Sequence, residues 1–134
     1  MDDSGHCSFI ISGETLNFED ITKNLRIKPS EILRKGEIIN DIIGENLLDV
    51  FICEELIHEN TTLNKTLLRL VEKLIPHKNY IKKLSETTEI VARCYIQSDY
   101  AQVYFYFTPG VLASLVDLNI KLEISILSWG GVST

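Results

Sequence analysis

A unit that occurs at both ends of the chain sets the terms for its fold: a β-like run, a polar turn, a short amphipathic helix and a closing Leu-x-Ile-Lys. The first copy runs from Ser8-Phe9-Ile10-Ile11 through Ser12-Gly13-Glu14 into a helix over 18–24, then Leu25-Arg26-Ile27-Lys28. The second runs from Val103-Tyr104-Phe105-Tyr106-Phe107 through Thr108-Pro109 into a helix over 111–117, then Leu118-Asn119-Ile120-Lys121. Apolar alternation followed by three- and four-residue apolar spacing implies two strand–helix–strand halves around a helical middle. The pattern speaks of architecture and carries no chemistry.

The rest of the chain is punctuated clearly enough to place the elements. A strand over 7–12 ends at the Ser12-Gly13-Glu14 turn. Asn17 is a good N-cap, Glu19 and Asp20 suit the first turn of a helix, and Phe18, Ile21 and Leu25 share its apolar face until Pro29 stops it. Arg34-Lys35-Gly36-Glu37 reads as a turn, Ile38-Ile39 as a short strand, and 47–53 as a central strand. Thr61 or Thr62 caps a helix whose stripe is Leu63, Leu67, Leu70, Val71, Leu74 and Ile75; Pro76 breaks it, and Tyr80, Ile81 and Leu84 suggest a second, short helix. Alternating strands over 89–97 and 101–107 form a hairpin through Ser98-Asp99-Tyr100. Thr108-Pro109 starts a helix that runs to about Leu118, and the last strand covers 121–128.

The order β-α-β-α-α-β-β-α-β over 134 residues predicts one α+β domain spanning 1–134. The expected form is a two-layer sandwich, a mostly antiparallel sheet with helices on one face. The outer β-α-β units supply ferredoxin-like elements, each crossing over right-handed.

Composition removes several classes of function. Hydrophobic content of 45% with 24% charged residues belongs to a globular chain. No apolar run approaches the ~20 residues of a membrane helix, so no membrane partner is expected. The polar, acidic start does not resemble a secretory signal, and three cysteines without Cys-x-x-Cys point to a reducing cytoplasm. A net charge of −6 argues against nucleic acid, whose phosphates demand many cations. Seven acids and no Lys or Arg lie between Glu37 and Glu59, whereas Lys65, Arg69, Lys73, Lys78, Lys82 and Lys83 follow. Such zones are ordinarily solvated faces; the alternative is that they steer a partner.

Catalytic and metal signals are weak. Glu55-x-x-His58 has helical metal-site spacing but lacks a second copy, so no metal is expected. Cys7, Cys53 and Cys94 fall in strand-like runs, where cysteine behaves as a small buried hydrophobe. No cofactor motif is present, and the reading leans away from an enzyme.

Two surfaces remain. Strand alternation puts Ile90, Ala92, Cys94 and Ile96 on the core side with Val103, Phe105, Phe107, Leu122, Ile124 and Ile126. The opposite, open side then carries Tyr95, Gln102, Tyr104, Tyr106 and Trp129, residue types that favour contact with another protein or a second copy. Cross-strand tyrosine pairing on a solvated sheet is the plainer explanation of that face. The second surface joins the Gly13-Glu14 turn to the Lys35-Gly36-Glu37 loop. It would make a small-molecule pocket or active site with Glu14 or Glu37 as acid/base and Arg34 and Lys35 beside them, Lys35 as the anion holder.

The ordered set Phe9-x-Ile11-Ser12-Gly13-Glu14, Ile21-Thr22, Leu25-x-Ile27-x-Pro29-Ser30 and Lys35-Gly36-Glu37 resembles the bacterial domain of unknown function 4279 family. The C-terminal pattern Leu112-x-x-Leu115-x-x-Leu118-x-Ile120-x-Leu122-x-Ile124-Ser125 extends the resemblance over nearly the whole chain. It implies a small cytoplasmic bacterial protein with no established activity and no catalytic residue to transfer. The leading expectation is therefore a non-enzymatic protein-binding module, of which a toxin-immunity protein is one form. The alternative is the small-molecule binder or enzyme at the Gly13-Glu14 and Lys35-Gly36-Glu37 loops.

Overall fold

The computed structural model describes residues 4–40, 42, 44–57, 61–98 and 103–128. The chain forms β1 (Ser4–Gly13), α1 (Phe18–Leu25), β2 (Glu31–Leu33), a β3–β4 hairpin (Ile38–Asn40 and Gly44–Glu45) and β5 (Asp49–Leu56). There follow α2 (Leu63–Leu74), a 3-10 turn at Ile75–His77, α3 (Lys78–Leu84), β6 (Glu89–Ser98), α4 (Pro109–Asp117) and β7 (Lys121–Ser128). The main sheet has the order β2-β5-β1-β6-β7, antiparallel throughout except for the parallel pair β6–β7. The α+β class and the mostly antiparallel sheet are as the sequence implies.

The ferredoxin-like part sits elsewhere than expected. β1-α1-β2 is a split unit with β5 inserted between its strands, and β5-α2-β6 is a second split unit with β1 inserted. The C-terminal half expected from a strand over 101–107, α4 and β7 does not form; β6-α4-β7 is instead an appendix that adds one parallel strand beyond β6. The two Leu-x-Ile-Lys units therefore do not mark the two halves of that core.

What they mark is a helix ending. Arg26 (φ 55) and Asn119 (φ 58) both take the left-handed conformation within two residues of the ends of their helices. Arg26 N–H bonds the Thr22 carbonyl at 2.9 Å, and Ile120 N–H bonds the Leu115 carbonyl at 3.0 Å, which satisfies carbonyls the helix leaves open. The leucine before the left-handed residue and the isoleucine after it are buried in both copies, and the lysine is exposed. Replacing Arg26 by Gly should stabilise the fold by about 0.5–1 kcal/mol. An L-residue loses roughly 1–2 kcal/mol in this conformation, against the roughly 0.5–1 kcal/mol that glycine's freedom costs. Urea denaturation of Arg26→Gly beside the wild type measures the difference.

The core lies between the sheet and the helices. β1 contributes Cys7, Phe9 and Ile11, β5 Phe51 and Cys53, β6 Ala92, Cys94 and Ile96, all buried and packed with Ile21, Leu67 and Leu70 from the helices. Cys7 and Cys94 face each other in register with sulfurs 3.4 Å apart, and their contact together with burial pushes the Cys7 thiol far up, so it stays protonated. The N-caps are those expected: Asn17, Thr62 and Thr108 accept from the N–H of Asp20, Lys65 and Val111. Tyr80 of α3 donates to Asp20 of α1 at 3.0 Å, and burial, with that bond second, pushes its hydroxyl up to about 12.

Three local expectations are corrected. Residues 103–107 form no strand, because β6 already has β1 on one side and β7 on the other. Their alternation survives without a ladder: Val103, Phe105 and Phe107 pack on the core while Tyr104 and Tyr106 point to solvent. The run expected as a strand over 47–53 starts two residues later, leaving Leu47 exposed. On β7, Ile124 and Ile126 sit on the core-side face yet remain 44% and 49% exposed, since the appended strand reaches past the cover of α4.

Candidate functional site

The structure brings together the two loops expected to meet. Lys35 Nζ lies 2.7 Å from Glu14 Oε2, joining the end of β1 to the turn after β2. Asp49, at the start of β5, completes the junction: its two carboxylate oxygens accept the backbone N–H groups of Lys35 (2.7 Å) and Leu16 (2.9 Å). Arg34 stacks over the Phe18 ring at 5.0 Å and lies 3.9 Å from Glu37. Gly36 takes φ 91, a value that favours glycine, and its N–H bonds the Asn46 carbonyl, while Asn46 N–H returns a bond to Glu37.

These groups buckle the two loops together. Lys35 and Glu14 neutralise each other with side chains 52% and 77% exposed. The bond to Glu14 raises Lys35 above its ordinary range, and the N–H groups of Lys35 and then Leu16 hold Asp49 below the usual carboxylate range. Asp49 was the residue that sequence reasoning missed; its place before an apolar run, at a strand start where two loops must be tied, was the available signal.

The depressed carboxylate gives a signed expectation. The contribution of Asp49 is present above the ordinary carboxylate pKa and is lost as pH falls through its lower folded value. In an NMR titration the Leu16 and Lys35 amide signals should therefore move together, with a midpoint below the ordinary aspartate value. Asp49→Ala should abolish that shared transition, and a midpoint at or above the ordinary value would contradict the geometry.

The expected tyrosine face is divided by the structure. Tyr95 stands on the open face of β6 and stacks on His6 of β1, ring centroids 5.4 Å apart. Next to it Arg93 clamps Glu123 of β7 with bonds of 3.0 and 2.8 Å. This clamp, with Lys121 behind it, lowers Glu123. Tyr104 and Tyr106 lie on the segment leading to α4, so the three tyrosines do not share one sheet face. Gln102 and Trp129 lie outside the described residues.

β7 itself is the more unusual surface. It is an eight-residue strand at the end of the sheet, and its second half, Ile124-Ser125-Ile126-Leu127-Ser128, carries no charge and no proline. The opposite edge, β2, is three residues long and begins with Glu31. Among the described residues no group of three or more His, Cys, Asp or Glu converges as a metal site, and no helix is long and apolar enough to cross a membrane.

One family model, described as Domain of unknown function (DUF4279), matches residues 3–129. No curated protein matches the chain. No solved structure matches it either.

Proposed function

For this chain, which belongs to the DUF4279 family, we propose a role as a non-enzymatic protein-binding module that accepts an extended segment of a partner along β7. The observation that carries the reading is the edge of β7, which pairs with β6 on one side and, among the described residues, with no strand on the other. Proteins usually blunt a terminal strand with charge, proline or shortness, because its free N–H and C=O groups template further pairing. β2 has that protection; the second half of β7 lacks it and adds exposed Ile124, Ile126 and Leu127. A partner strand would continue the ladder, and its alternate apolar side chains would cover Ile124 and Ile126. Tyr104 and Tyr106, both exposed on the segment leading to α4, offer further contact area. Neutralising a toxin is one function such a module performs, and a net charge of −6 suits a basic partner.

Ile126→Lys tests the proposal, since a charge on that face opposes burial while an exposed position tolerates it. The wild-type chain should capture a partner whose cross-linked peptide maps to β7, and the variant should bind it about tenfold or more weakly, the equivalent of about 1.4 kcal/mol. Thermal melting of the two should agree. If the captured strand is a second copy, sedimentation should show a dimer that Ile126→Lys dissociates. Equal binding and equal size for both proteins would overturn the proposal.

A further inference from the structure

We infer that a cleft at the end of α1, remote in role from the β7 edge, is a binding site for a small organic anion: an anionic head on an apolar body, as in a carboxylate or a phosphate monoester. The cleft has a volume of about 430 Å3, within the range of small-molecule sites. Leu25, Ile27 and Cys53, all buried, form an apolar lining. Arg26, Lys28 and Lys73 also line it, with His77 from the 3-10 turn, in a protein whose overall charge is −6. Glu54 is the acid on the wall, and Ser30 Oγ accepts its backbone N–H at 2.9 Å.

Charge accounting separates the cations. Lys73 is paired with Glu55, and as a last-turn residue of α2 it also answers the helix dipole. Arg26 and Lys28 make no ion pair among the described residues. Lys28 lies beyond the end of α1, so dipole capping does not account for it. Arg26 occupies a left-handed position that glycine would fill with less strain. A cleft lined by an arginine and a lysine as well as by apolar side chains matches an anion that also carries apolar surface; Arg adds the fork geometry that carboxylates and phosphates share.

The test uses melting temperature at constant ionic strength with benzoate, phenyl phosphate and inorganic phosphate as probes. Arg26→Gly with Lys28→Gln removes the two unpaired cations while keeping the backbone conformation, so it should melt no lower than the wild type. Lys82→Gln with Lys83→Gln matches its charge change away from the cleft. Benzoate, phenyl phosphate or both should raise the melting temperature of the wild type and of the Lys82/Lys83 variant more than inorganic phosphate does, and should leave the Arg26/Lys28 variant unmoved. A rise from one organic probe alone identifies the head group. No rise, a rise no larger than that from inorganic phosphate, or a rise that persists in the Arg26/Lys28 variant would overturn the assignment. Partner capture at β7 is read separately, so either idea can fail without the other.

Discussion

Phe9→Ala should lose about 3–5 kcal/mol of stability, the range for truncating a large buried aromatic, and so remove a large share of the roughly 5–15 kcal/mol that holds a typical domain. Phe9 is fully buried on β1, the central strand of the five, opposite Cys53 of β5 and Ala92 of β6. Those neighbours are small, so they cannot swell to fill the space a missing ring leaves. The helices above are held by their own contacts: Tyr80 ties α3 to α1, and Asn64 of α2 accepts the Thr108 N–H at the start of α4. With little room to collapse, the cavity term adds to the lost transfer energy. Chemical denaturation of wild type and variant gives the difference as a shifted midpoint with unchanged slope. A loss below about 1 kcal/mol would mean that Phe9 does not sit at the centre of the packing.

Phe9 belongs to what the sequence made legible. The strand over 7–12 that carries it was read from the sequence, and alternation placed Ile90, Ala92, Cys94 and Ile96 on the core side of β6. The caps Asn17, Thr62 and Thr108 were readable because a cap is a local bargain between one side chain and the next turn. Pairing was not readable in this way. Residues 103–107 show strand alternation, yet alternation reports only an extended chain with one buried side; which neighbour shares its hydrogen bonds depends on strands far away in sequence. The same limit moved the second ferredoxin-like half from the C-terminal unit to β5-α2-β6.

The candidate surfaces divide along that line. Glu14 and Lys35 were expected to meet and do, but the sequence could not show that their charges cancel at the surface or that Asp49 ties both loops. Nothing local to Arg26 and Lys28 reveals that β5 and α2 bring Cys53 and Lys73 to the same cleft. The exposed Ile124 and Ile126 were expected in the core because alternation gives a face, whereas cover depends on where α4 ends.

Among the described glycines, Gly5→Ala should be the most damaging single-methyl change, at about 1–3 kcal/mol, the usual range for forcing extra volume into a packed site. Gly5 lies near the start of β1 opposite Ile96, and its carbonyl accepts the Ile57 N–H at 3.0 Å. A Cβ there would overlap the backbone carbonyl oxygen of Tyr95 and come within 3.2 Å of Ile57 Cδ1. A side-chain tip can swing aside, but a carbonyl in the sheet moves only with its strand. The variant must therefore part β1 from β6 at this end and disturb the His6–Tyr95 stack. Gly110 supplies the opposite sign from the same substitution. It lies in the first turn of α4 with nothing within 4 Å of its added Cβ, so Gly110→Ala should stabilise by up to about 1 kcal/mol through helix propensity. Melting curves for both variants test the pair: loss at Gly5 with gain at Gly110 locates the steric conflict at Tyr95. A Gly5→Ala protein that melts with the wild type would show that β1 and β6 are not in such close contact there.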